Sequence, residues 1–157
     1  SYYCPREKAS ALYVAKEYAR IQKEEIAALF AFIMEGKSKR NKYASFQLLE
    51  HLYSALGEMN LSFPKRFHAD FLRLGYECLS RRMFIQYLQR NVLILDDNFV
   101  EEISKTLQTN QDDLEFSFFL INRLTDKARV FEIMKESDSM KHLLVQNLIS
   151  NHYYSKR

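Results

Sequence analysis

Helix breakers are scarce in this sequence: three Gly and two Pro in 157 residues, with no Trp at all. Three glycines cannot build a Gly-rich phosphate loop. So few breakers also favour helices joined by short connections. Two cysteines are too few for a disulfide scaffold, and the spacing of Cys4 and Cys78 fits no zinc pattern. Cys78 falls in an apolar helical stretch and is expected as a buried free thiol in a reducing compartment; a Cys4–Cys78 bridge stays open for a secreted protein. Long apolar runs are missing too. The longest, Ile26 to Met34, spans nine residues, well short of the roughly 18 a membrane span needs. Sustained two-residue alternation, the mark of a sheet, is absent. Val92 to Leu95 is the one strand-like run and reads as a buried connection or helix end.

What is present is apolar bulk. The apolar fraction is 47%, with 12 Phe and 10 Tyr, enough for a sizeable core. The net charge of +3 is unevenly spread: residues 1–90 carry 15 Lys/Arg against 9 Asp/Glu, and residues 91–157 carry 8 against 11. Summed charge speaks to association rather than fold. The chain opens on Ser1 rather than Met, which reads as an excised or processed piece.

Apolar residues recur at helical spacing from end to end. Pro5 suits an opening turn, and Leu12, Ala15, Ala19, Ile26, Phe30 and Ile33 follow on one face. The predicted helical region is 5–35, with a break near Gln22 to Glu24 and Gly36 as a left-handed cap. Tyr43, Phe46, Leu49, Tyr53 and Leu56 mark a second helix, stopped by Gly57. Pro64 opens a third, with Phe67, Phe71, Leu72 and Leu74, which Gly75 ends or bends. Met83, Phe84, Tyr87 and Leu88 mark a fourth. Asp96 or Asp97 caps a helix with Phe99, Val100, Ile103 and Leu107. Asp112 or Asp113 caps one with Leu114, Phe118 and Ile121. Thr125 starts one with Val130, Phe131 and Met134, and Asp138 or Ser139 starts the last, with Met140, Leu143, Leu144 and Leu148. The expected fold is all-α: a single helical domain over 1–157, an antiparallel array of about 7–9 helices, solenoid-like or a compact bundle, with short helices through 42–150.

No catalytic, metal or cofactor motif stands out. His51, His68, His142 and His152 form no His-x-x-x-His pair, and Glu50-His51 and His68-Ala69-Asp70 are at most fragments of a metal site. Cys78 as a nucleophile would need a histidine base, and His68 lies about three helical turns earlier. Helix capping accounts for Asp96-Asp97 and Asp112-Asp113 without catalysis. The chain is therefore expected to be no enzyme and to take no small-molecule substrate or cofactor.

Two features carry functional potential. Lys37, Lys39, Arg40 and Lys42 form a basic loop, and Lys65, Arg66, Arg81 and Arg82 open later helices. Brought together, these eight would make a partner-binding patch for an acidic protein, an acidic membrane surface or nucleic acid. Tyr2, Tyr3, Tyr13, Tyr18, Tyr43, Tyr76, Tyr87, Tyr153 and Tyr154 are too many for one core, and tyrosine favours protein interfaces.

The stretch Arg82 to Asp97, a short helix rich in aromatics and glutamine ending in Val and an acidic turn, precedes a further short helix from Phe99 to Leu107. This pattern resembles the Mic-type C-terminal α-solenoid of the regulatory subunit that accompanies the late-endosomal Rab exchange factor, and clathrin-type helical repeats more broadly. The resemblance covers about residues 66–150 and implies a trafficking scaffold; it transfers no site residue. The leading expectation is thus an intracellular, cytoplasmic helical scaffold or adaptor that binds another protein. The alternatives are a nucleic-acid or anionic-membrane binder using the basic set, and a secreted cytokine-like ligand, since Phe119 to Thr125 resembles a type I interferon helix.

Overall fold

The structure, a computed structural model, describes residues 5–39, 41–107 and 110–136, together with 138, 141–142, 145–146 and 149–150. Among the described residues there are seven helices and no strand: α1 (Pro5–Gly36), α2 (Lys42–Glu58), α3 (Phe67–Cys78), α4 (Arg81–Gln89), α5 (Asp97–Thr106), α6 (Gln111–Asn122) and α7 (Lys127–Lys135). The all-α expectation is met. Ser139, Met140, Leu143, Leu144 and Leu148 of the last expected helix lie outside the described residues, as do Cys4 and the tail from Asn151. The chain divides into two compact units, 1–93 and 94–157.

In the first unit, α1 runs unbroken through Gln22 to Glu24, where a break was expected. Arg20 donates to Glu17 at 3.0 Å and to Glu24 at 2.8 Å, and pairs three and four residues apart support the helix across that stretch. No Gly or Pro interrupts it before Gly36. The expected left-handed cap at Gly36 is not formed, since no glycine has positive φ. Instead Lys37 N–H donates to the Met34 carbonyl at 3.3 Å, closing a simple turn. Gly57 likewise sits inside α2, and the left-handed residue is Asn60, φ 53°, a residue type that tolerates that region. Pro64 does not open α3 either. Its carbonyl accepts from Phe67 N–H at 3.2 Å in a turn that sets Arg66 at φ 65°, and α3 begins at Phe67.

α2 and α3 are antiparallel, because Lys42 at the start of α2 meets Glu77 near the end of α3 at 2.9 Å. The core between them is aromatic. Phe30 of α1 lies tilted at 5.5 Å from Phe67, Phe67 lies 5.5 Å from Phe71, Phe71 5.1 Å from Phe46, and Phe46 5.7 Å from Tyr87 of α4. These rings bind all four helices into one cluster, each contact adding to area burial by about 0.5–1.5 kcal/mol. Tyr87 donates its phenol to Glu50 at 2.6 Å, which pushes its pKa up to about 12. The Val92 to Leu95 run is a connection, but not the buried one expected: Leu93 alone is buried and Ile94 is exposed, while the N–H groups of Val92 and Leu93 both donate to the Tyr87 carbonyl.

In the second unit, Asp96 caps α5 as expected, accepting from Phe99 N–H at 3.2 Å. The α6 cap is Asn110 rather than Asp112 or Asp113, and it accepts from Asp113 N–H at 2.8 Å. The two aspartates occupy the first turn, where the helix dipole favours them. Asp126, not Thr125, caps α7. Phe99, Val100 and Ile103 of α5, Phe116, Leu120 and Ile121 of α6, and Val130, Ile133 and Met134 of α7 are the buried set. Arg129 of α7 reaches Glu101 of α5 at 2.7 Å and Asn98 at 3.0 Å.

His68 packs edge-on beside Phe67 and 4.6 Å from Phe63, and its Nδ1 is buried with no partner among the described residues. Burial lowers its pKa. The unfolded chain then holds the proton more readily than the folded one. Stability is fully present above the unfolded value of about 6.5 and is lost as pH falls through the lower folded value. The urea midpoint of the wild-type chain is expected to drop between about pH 7.5 and about pH 5, and the drop should be smaller in His68→Phe. Identical pH profiles for the two would contradict this.

Candidate docking surface

α1 is unlike the other helices. Every residue from Pro5 to Lys16 is exposed, and only Phe30 and Ile33 are buried along its whole length. The inner row, Ile26, Phe30 and Ile33, meets the aromatic core through Phe67. Further up, Ala19, Gln22, Lys23 and Ile26 form a shallow groove of about 230 Å³ with Asn60, Leu61 and Ser62 of the α2–α3 loop.

A second apolar row faces solvent. Ala11, Val14, Tyr18, Ile21, Glu25, Ala28 and Phe32 follow one another at alternating steps of three and four, the spacing of a coiled-coil seam. Val14 is 65% exposed, Tyr18 69%, Ile21 46% and Phe32 61%; Leu29, beside the row, is also exposed. A row of 22 residues is about 33 Å long at helical rise. Scattered single exposed apolar residues are ordinary, but a row this long, broken only by Glu25, is a candidate interaction surface.

The charges along α1 are segregated. Glu25 stands inside the seam itself, and Glu17 and Glu24, seven residues apart, line one flank. Lys16 and Lys23 fall about half a turn away, on the opposite side of the helix. Arg20 is held by Glu17 and Glu24, and its pKa is raised by the Glu17 hydrogen bond first and then by Glu24. Glu25 forms no ion pair among the described residues.

The expected basic set is only partly gathered. Lys37 and Lys39 lie in the turn after α1, Lys42 starts α2, and Arg81 and Arg82 start α4 just past the end of α3. The Lys42–Glu77 contact shows that these positions share one end of the α2–α3 pair. Lys65 and Arg66 precede the first residue of α3 and so belong to its other end, about 18 Å away along the 12-residue helix. Arg66 lies 3.7 Å from Asp70. Arg40 lies outside the described residues. Of the tyrosines, Tyr13, Tyr18 and Tyr43 are exposed and Tyr76 and Tyr87 half-buried, while Tyr2, Tyr3, Tyr153 and Tyr154 lie outside the described residues.

Cys78 is free and half-buried, and burial raises its thiol pKa, with Glu77 adding to the effect. His68 and Cys78 lie on the same helix ten positions apart, about 15 Å by helical rise. Among the described residues no group of three or more His, Cys, Asp and Glu could hold a metal ion, and no helix is long and apolar enough to cross a membrane.

Comparison with known proteins gives two findings. The family described as gamma-secretase-activating protein C-term matches residues 12–118. A gamma-secretase-activating protein from Mus musculus is 28% identical over 79 residues, which is 50% of this chain and 9% of the mouse protein. No solved structure matches. The Mic-type resemblance is thereby overturned: the match takes in most of α1 and all of α2, which the Mic-type pattern left uncovered. That pattern rested on apolar spacing from Arg82 to Leu107, which many amphipathic helices share.

Proposed function

The chain belongs to the gamma-secretase-activating protein C-terminal family, and from that membership we propose that it is a non-catalytic module that promotes gamma-secretase activity by binding protein. The observation that carries the reading is the exposed apolar seam of α1, since Val14 to Phe32 falls inside the matched stretch. Burying several such side chains against a partner is worth roughly 1.5–3 kcal/mol each before the costs of association. A reducing, cytoplasmic setting is proposed with it, and the free thiol of Cys78 supports that part.

The test adds the purified chain to a gamma-secretase preparation and follows substrate turnover and co-precipitation. Wild-type chain is expected to raise turnover and to be retained with the complex. The triple variant Val14→Gln, Tyr18→Gln, Ile21→Gln keeps good helix formers at exposed sites. It should lose about tenfold or more in apparent affinity with an unchanged helical signal. No rise in turnover with the wild-type chain would remove the proposal.

A further inference from the structure

We propose that the outer seam of α1 receives a basic amphipathic helix from a partner protein, packed in coiled-coil register, with a Lys or Arg set against Glu25. The inference deepens the protein-binding reading above and rests on it.

The steps of three and four from Ala11 to Phe32 fit an opposing helix, because side chains at that spacing stay on one seam over many turns. The charge pattern then selects the helix. Covering the seam brings Glu25 out of water, and an unpaired carboxylate in an apolar contact is strongly disfavoured. The chain has no cation beside it to give: Arg20 already bridges Glu17 and Glu24, and Lys16 and Lys23 face away. The partner must therefore supply the positive charge opposite Glu25; on the flank Arg20 offsets one of the two charges of Glu17 and Glu24, and the one left over favours Lys or Arg along that edge of the incoming helix. A second copy laid on the same seam would set its own Glu17, Glu24 and Glu25 into this row. An anionic lipid surface meets the same carboxylates and is repelled.

The experiment uses the whole chain and a synthetic heptad peptide about four heptads long. The peptide carries Leu along its seam, with either Lys or Glu at the flanks and at the one seam position facing Glu25. Binding is read by fluorescence anisotropy at low and high salt, beside sedimentation of the chain alone and flotation with phosphatidylserine vesicles. The Lys peptide is expected to bind about tenfold or more tighter than the Glu peptide at low salt, with the gap narrowing at high salt. The double reversal Glu24→Lys, Glu25→Lys should invert the preference. Equal binding of both peptides, binding of neither, or a preference untouched by the reversal would overturn the proposal. So would dimers of the chain, or vesicle binding, abolished by Tyr18→Gln, Ile21→Gln. If the triple seam variant loses gamma-secretase activation while the peptides show no charge preference, the protein-binding reading stands and this occupant is wrong.

Discussion

Phe71→Ala lowers the stability of the 1–93 unit by about 3–5 kcal/mol. Phe71 is 0% exposed and holds three rings at once: Phe46 at 5.1 Å, Phe67 at 5.5 Å and Tyr53 at 5.8 Å. Its loss removes the transfer energy of a large side chain. It also leaves a cavity whose walls are rigid aromatics with little freedom to collapse inward. A domain this size is stable by only about 5–15 kcal/mol, so a large share of the margin goes with one residue. Chemical denaturation followed by far-ultraviolet circular dichroism reads the effect. Tyr18→Ala on the outer seam is the comparison, a side chain of similar size that is 69% exposed, and it should stay within about 0.5 kcal/mol of wild type. A Phe71→Ala loss no larger than that of Tyr18→Ala would show that the ring cluster is not the core of this unit.

Gly75→Val is expected to cost about 1–3 kcal/mol, against the ordinary sign for filling a helix glycine. Removing a glycine from a helix interior usually gains roughly 0.5–1 kcal/mol of backbone entropy. Here a Cβ would stand 2.9 Å from Leu93 Cδ1 and 3.1 Å from Phe46 Cε2. Leu93 could turn its side chain away, but its backbone is fixed where its N–H and that of Val92 share the Tyr87 carbonyl, at 3.3 and 3.0 Å. Phe46 is fully buried between Phe71 and Tyr87 and has nowhere to go. Valine adds two methyls to a space too small for one. The double variant Gly75→Val, Leu93→Ala should recover part of the loss, and the shortfall from additivity measures the contact. If Gly75→Val proves as stable as wild type, α3 does not press on the 92–95 connection as the distances say.

Which parts of this were legible in the sequence follows from what a local pattern can carry. The rows through Phe46, Leu49 and Leu56 and through Phe99, Val100 and Ile103 announce their helices because burial on one face imposes the period. The Asp96 cap was equally readable, because a short side chain bonding two or three residues ahead is a local event. Gly75 was not. Its place in the middle of α3 depends on Leu93, eighteen positions on, and no spacing rule connects a glycine to a distant loop. The turns were misread for a related reason. With so few glycines, the left-handed positions fall to Asn60, Arg66 and Asn91 rather than to Gly36. The seam of α1 is visible in the letters from Ala11 to Phe32, but letters do not say which of two apolar rows the core takes. Phe30 and Ile33 won that contest because they meet Phe67. The basic set failed as a single patch because Lys65 and Arg66 stand a helix length from Arg81 and Arg82, a separation set by α3 and not by composition.

The overhang of α1 from Pro5 to Lys16 has an energetic consequence for recognition. A helical stretch with no tertiary cover relies on propensity and a few local bonds, such as the Ser10 hydroxyl on the Arg6 carbonyl at 3.0 Å. These turns extend a helix already wound around the buried Phe30 and Ile33, so each is held only by the small gain of propagation. A ligand that grips only the wound form has its affinity set in part by the wound fraction of the free chain. Substitutions there that merely favour winding, touching no contact at all, would tighten the association.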